Sequence, residues 1–310
     1  MPYIHPQVAA FLAQMSAPAG PPPDTLEAQR ADFSALWRHL SPPITSVHRL
    51  HLLSCPGPRG NIELVAYTPR AATELLPVLL YCHGGGCVTL SPEDFAATST
   101  RLAVDADCIV IVPRFRQAPE HPFPAPLEDC FAAYEWLLLN AATFGGDMRR
   151  VVISGDSGGG YLAAAVCLEA RRAAIPQPIG QVLIYPMLDM AAVTPSRRSL
   201  DYWVNEERLA GVIATHVGDQ VLDPRASPLR ALDHRGLAPA IVFTAGLDPL
   251  RDEGRAYVDT LRRAGVDATH FDYEGMVHGF FSFGAAIDQG NLAVQHVAGV
   301  LRHLFRNFSQ

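Results

Sequence analysis

Apolar positions along this chain follow two rhythms. From Val47 onward, short strand-like runs appear, the later ones continuously apolar and separated by longer stretches of helical spacing. The runs predict strands over 47–54, 61–68, 77–82, 108–113, 150–154, 180–185, 240–245 and 269–273, and the stretches between the later runs predict helices near 92–106, 127–143, 161–174, 252–264 and 285–305. Continuous apolar runs suit strands buried on both faces. Their alternation with helices therefore implies an α/β chain, with a mostly parallel eight-stranded sheet flanked by helices.

Two segments depart from that rhythm. Residues 1–45 show helical spacing broken by Pro18, Gly20, Pro21, Pro22 and Pro23, so they predict two short amphipathic helices set before the body at 46–310. The stretch 187–237 is too long for one crossover and carries Tyr202, Trp203 and a polar helical segment at 205–214. It leaves the carboxyl end of a strand, where the ligand crevice of an open α/β sheet lies, and reads as an insertion. No repeat, low-complexity tract or linker separates independent domains.

Composition narrows the function. With 310 residues, 49% hydrophobic and 18% charged, the chain can bury one large α/β core. A net charge of −7 without a basic run argues against a nucleic acid or an anionic membrane as partner. The N-terminus lacks a secretion signal and no 18 apolar residues run together, which predicts a cytoplasmic protein without stable membrane association. Cys55, Cys82, Cys87, Cys108, Cys130 and Cys167 form no Cys-x-x-Cys pair and read as reduced, buried thiols. Cys82, His83 and Cys87 lie close together, but no second ligand pair accompanies them, so neither metal nor cofactor is expected.

The chemistry concentrates at residues 151–161, an apolar run that breaks into Gly155-Asp156-Ser157-Gly158-Gly159 and continues as an alanine-rich segment. Strand, sharp turn and helix would lift the Ser157 hydroxyl into the open at a helix N-terminus, where the Gly158 N–H can stabilise an oxyanion. Gly-Asp-Ser-Gly-Gly also surrounds the serine of trypsin-like proteases, but those are all-β and place their other catalytic residues before it. A phosphate-cradling loop would need a lysine after the glycines. A serine needs a base and a carboxylate to orient that base. Asp248 and His278 each follow a strand downstream of the serine, in the order Ser, Asp, His; Asp252 is the competing acid, disfavoured because it should lie within a helix. His83-Gly84-Gly85-Gly86, directly after another strand, supplies further backbone donors.

Together with Ala118-Pro119-Glu120-His121-Pro122-Phe123-Pro124-Ala125, Asp248-Pro249-Leu250-Arg251-Asp252-Glu253 and His278-Gly279-Phe280, these motifs resemble the hormone-sensitive-lipase-like family of bacterial esterases over roughly residues 45–310. The resemblance implies an α/β-hydrolase fold with a helical cap made of residues 1–45 and the insertion. It also implies a triad of Ser157, Asp248 and His278, an oxyanion hole from the amides of Gly84, Gly85 and Gly158, and a serine carboxylesterase acting on small, short- to medium-chain acyl esters. Amide hydrolysis by the same triad, or ligand binding without catalysis, are the alternatives, and a homodimer through the last strand stays open.

Three departures from the family pattern stand out. Cys87 and Leu90 replace an aromatic residue and a glycine, predicting an altered pocket wall beside the oxyanion loop. Arg114 replaces an acid and is expected to change the polar network supporting the site. Gly158 stands where alanine is common and should leave more room. Because the base must be neutral, activity should fall below about pH 6.

Overall fold

The structure, a computed structural model, describes residues 2–16 and 24–308. Eight strands form one sheet: β1 (Arg49–Gly57), β2 (Gly60–Thr68), β3 (Leu76–Cys82), β4 (Ile109–Pro113), β5 (Gly146–Asp156), β6 (Gly180–Ile184), β7 (Ala240–Ala245) and β8 (Ala268–Tyr273). Their spatial order is β1-β2-β4-β3-β5-β6-β7-β8. β1 and β2 close as a tight hairpin with Gly57 opposite Gly60, and β2 meets β4 antiparallel. Every other pairing is parallel. All residues of β3, β4 and β6 are buried, as their unbroken apolar runs require.

Nine helices are described: α1 (Pro6–Met15), α2 (Leu26–Leu40), α3 (Ala96–Ala106), α4 (Ala125–Asn140), α5 (Gly158–Arg172), α6 (Pro195–Ser199), α7 (Glu206–His216), α8 (Arg251–Arg263) and α9 (Asp288–Asn307). One core, on one face of the sheet, takes Tyr134 of α4, Leu162 of α5 and Tyr257 of α8. The other face takes Leu102 of α3, Leu301 of α9 and Trp37 of α2.

The chain leaves β3 through α3 to β4 on one side, then returns through α4 to β5 on the other. This reversal opens a crevice at the carboxyl ends of β3 and β5, where Cys82 lies opposite Gly155. The segments after those strands carry the glycine run and Ser157.

Element boundaries differ from the expected ones mostly at the ends. β5 begins at Gly146 instead of residue 150 because Gly146 pairs with Leu76 of β3 ahead of a register shift, and the polar residues between are carried into the strand, where Asp147 pairs with Arg150. α5 begins at Gly158, three residues earlier than helical spacing suggests, because tertiary packing overrides the weak helix propensity of three glycines.

α1 and α2 lie against the body. Phe11 packs on Trp203 and Phe283 with ring centroids 5.2 and 5.5 Å apart, and Trp37 packs edge-on to Phe283 at 4.9 Å. From α2, Arg30 donates to the carbonyls of Val88 and Ala118 at 2.8 and 2.7 Å and pairs with Glu120. The expected interruption at Pro18, Gly20 and Pro21–Pro23 lies outside the described residues. The stretch after β6 carries α6 and α7 and is pinned to α8: the buried Glu253 accepts from the amides of Leu188 and Asp189, both at 2.6 Å, and from Arg197 at 3.0 Å. Among the described residues no helix is long and apolar enough to cross a membrane.

Candidate active site

Ser157 sits between β5 and α5 with φ 57° and ψ −121°, a conformation that costs a side-chain-bearing residue about 1–3 kcal/mol. The turn is held from both sides. The Ser157 amide donates to the Ile184 carbonyl at 2.9 Å, and its carbonyl accepts from Tyr161 and Met187, both at 3.1 Å. It is also too crowded for side chains at its flanks: a Cβ on Gly155 would meet the Gly159 backbone, and one on Gly159 the Cys82 carbonyl. Both glycines are therefore required by close approach.

The loops after β7 and β8 bring Asp248 and His278 to the same sheet edge. The Ser157 hydroxyl lies 2.8 Å from Nε2 of His278, whose Nδ1 lies 2.7 Å from Oδ2 of Asp248. With Nδ1–H donating to the carboxylate, Nε2 is free to accept the serine proton. Asp248 is fully buried and takes the Leu250 amide on its other oxygen at 2.8 Å. Asp252, the competing acid, instead accepts from the Ser196 amide at 2.8 Å and pairs with Arg251.

Burial by itself would lower the His278 pKa. The charge and hydrogen bond of Asp248, with the charges of Asp156 and Glu253, outweigh it and hold the pKa above the ordinary imidazole value. Tyr185, at φ 34°, packs its ring 4.6 Å from the imidazole, a contact that nothing in the sequence pattern announces.

The glycine loop requires one correction. The Gly84 amide, expected to face the substrate, donates at 2.9 Å to Oδ1 of Asp156, which also accepts from the Tyr81 hydroxyl at 2.8 Å. A committed N–H cannot receive an oxyanion. Among the described residues, the amides of Gly85, Gly86 and Gly158 have no acceptor within the chain, and Gly85 and Gly86 line the cavity that holds Ser157. Asp156 is thus a member of the site that sequence reasoning missed, although it stands next to the serine. Its complete burial outweighs its hydrogen bonds and pushes its pKa up to about 6.

His83 props the loop from behind. Its ring stacks on Phe95 and Phe115, with centroids 5.4 and 4.4 Å away, and Nδ1–H donates to the Gly84 carbonyl at 2.8 Å. Burial lowers its pKa to about 4, so the ring is neutral. Cys82 and Cys87 are buried in the core, and no three metal-ligating side chains converge among the described residues.

Two of the other departures also fall differently from expectation. Cys87 and Leu90, with φ of 60° and 67°, turn into opposite cores, and the wall beside the loop is built by Gly85, Gly86 and Thr89. Arg114 pairs with Glu63 and Glu93, which ties the end of β4 to β2 and to the turn before α3; its charge acts on His83 behind the glycine loop and reaches no member of the Ser157 relay. The room expected beside Gly158 is filled: a Cβ there would lie 2.8 Å from the Gly86 Cα.

A cavity of about 240 Å³ opens in front of Ser157 and His278. Its walls are mostly apolar, from Phe33 and Trp37 of α2, Met187, and Trp203, Leu209 and Val212 of the insertion. Such a site can bind a small apolar acyl or alkyl group and attack a carbonyl placed between the serine and the glycine amides.

Comparison with known proteins bears on the family and the fold. The profile of the alpha/beta hydrolase fold family matches residues 79–282. The chain is 39% identical over 277 residues to the carboxylic ester hydrolase LipN of Mycobacterium tuberculosis, covering 84% of this chain and 71% of that protein. It is 32% identical over 316 residues to the ethyl acetate hydrolase of Pseudomonas putida, covering 96% and 98%. Among solved structures, an ester hydrolase from the metagenome of Lake Arreo, bound to a bipyridine phosphonate derivative, superposes with a TM-score of 0.93 at 36% identity, over 98% of this chain and 99% of that one.

Proposed function

The chain belongs to the alpha/beta hydrolase family and is a carboxylic ester hydrolase, and from that premise we propose that Ser157 is its nucleophile, His278 its general base and acid, and Asp248 the carboxylate that orients the base. The observation carrying this reading is the continuous relay from the Ser157 hydroxyl through the imidazole to the buried Asp248. His278 takes the serine proton as Oγ attacks the ester carbonyl. The tetrahedral oxyanion then lies against the amides of Gly85, Gly86 and Gly158. His278 returns the proton to the leaving alcohol, and water repeats the cycle on the acyl-enzyme. Each amide donor in such a hole is worth on the order of 10²–10³ in rate.

The substrates in this reading are small, short- to medium-chain acyl esters, supported by the apolar 240 Å³ cavity. Residues 1–45 and the insertion at 187–237 act as the cap, because Phe33, Trp37, Trp203 and Val212 close the cavity over Ser157. Six buried free thiols agree with a reducing, cytoplasmic setting. β8 ends the sheet and is the strand through which a homodimer would form.

Initial rates on p-nitrophenyl esters from acetyl to palmitoyl, for wild type and Ser157→Ala, test the assignment. Wild type should turn over the short esters while the equally folded variant is silent. Equal rates for the two proteins would remove Ser157 from the mechanism.

A further inference from the structure

Among the described residues, the cavity in front of Ser157 is lined by one charged group apart from the His278 relay. Arg208, in the first turn of α7, lines this cavity and also a cleft on the outer side, where its neighbours are Leu12, Tyr202 and Glu207. The side chain is exposed and borders both the site and the outer cleft. It lies over the Trp203 ring, 5.4 Å from the centroid, and Nη1 donates to the Trp203 carbonyl at 3.1 Å. No carboxylate pairs with it among the described residues, and Glu207 borders only the outer cleft. This arrangement leaves a fixed cation with spare donors at the rim of an otherwise apolar chamber.

An ester with an apolar body would lose nothing by ending in water there, but one ending in a carboxylate would gain a charge-assisted hydrogen bond. Resting on the proposed Ser157 site, we propose that Arg208 makes this enzyme selective for esters carrying a carboxylate at the end remote from the scissile bond. The chain's net charge of −7 repels such substrates at long range, so the selectivity is local and belongs to this one side chain. An arginine suits the task better than a lysine, because stacking on Trp203 presents its remaining N–H groups in a fixed plane.

The test compares anionic and neutral partners of matched shape at pH 8: monoethyl adipate against ethyl adipamate on the acyl side, and 4-acetoxybenzoate against 4-acetoxybenzamide on the alcohol side. Wild type should favour the carboxylate in kcat/KM by about three- to tenfold in at least one pair, and less so as salt is raised. Arg208→Gln should abolish that ratio and Arg208→Lys should keep part of it, each variant's neutral ester serving as its own reference. A neutral preference in wild type, or a ratio unchanged in Arg208→Gln, overturns the proposal while leaving the Ser157 reading intact. Hydrolysis that persists in Ser157→Ala would overturn both.

Discussion

Asp156 occupies the position next to the serine, yet its carboxylate faces away from the substrate, holding the Gly84 amide and the Tyr81 hydroxyl. Its negative charge also favours protonated His278. Because catalysis needs the neutral imidazole, the acid limb of activity should follow the raised His278 pKa and lie above the pH 6 expected for an ordinary histidine. Asp156→Asn removes one of the charges stabilising the imidazolium, so that limb should move to lower pH in kcat/KM profiles; a move upward would contradict the account. The same variant has a stability signature. The Asp156 pKa rises from the ordinary carboxylate range to about 6 on folding, so its contribution is complete below the unfolded pKa and is lost as pH rises through 6. Asp156→Asn, with nothing to ionise, should lose less stability than wild type between about pH 4 and pH 7. Gly158 is the second decisive residue. A methyl group there would press on Gly86 at 2.8 Å from its Cα and 3.0 Å from its N, displacing an oxyanion donor. Gly158→Ala should lower kcat by about ten- to a hundredfold and cost about 1–3 kcal/mol in urea unfolding; an unchanged kcat would show that the loop yields freely.

Among the elements, the deepest link between the insertion and α8 is one buried ion pair. Glu253 is fully buried, and burial raises its pKa to about 7 despite Arg197 and two backbone donors. Glu253→Ala would leave Arg197 and the amides of Leu188 and Asp189 buried without their acceptor, at a cost of about 3–5 kcal/mol. Denaturant unfolding measures this directly, and a loss below about 1 kcal/mol would mean that water replaces the carboxylate. The insertion was visible in the sequence as a break in alternation, but its anchor was not. Glu253 reads there as one more acidic residue in the first turn of a helix, a position that the helix dipole favours on any surface helix.

Across the whole molecule, the N-terminal segment does more than cover the site. Arg30 of α2 holds the Val88 carbonyl, just after the oxyanion loop, and the carbonyl of Ala118, a residue beyond β4 whose own amide donates to the Cys87 carbonyl at 2.9 Å. A cover that only sorted substrates would affect KM, whereas a brace on the loop affects kcat. Arg30→Ala should therefore lower kcat on p-nitrophenyl acetate by about three- to tenfold with little change in KM. A change confined to KM would reduce α2 to a wall.

Local pattern alone determined the strand and helix sequence, the serine turn, and the order Ser157, Asp248, His278, because each depends on periodicity or on short-range steric demand. Close approach at Gly155 and Gly159 is such a demand and is written in the residues themselves. Which amides of the glycine run stay free was decided only in three dimensions. Gly84, Gly85 and Gly86 are identical in sequence, and a carboxylate 72 residues away claims the first of them. The same holds for the space beside Gly158, taken by a backbone from another loop, and for Arg208, whose place at the cavity depends on how a long insertion folds back over the sheet. Contacts between distant segments depend on the packing of the whole core, and no window of sequence contains that information.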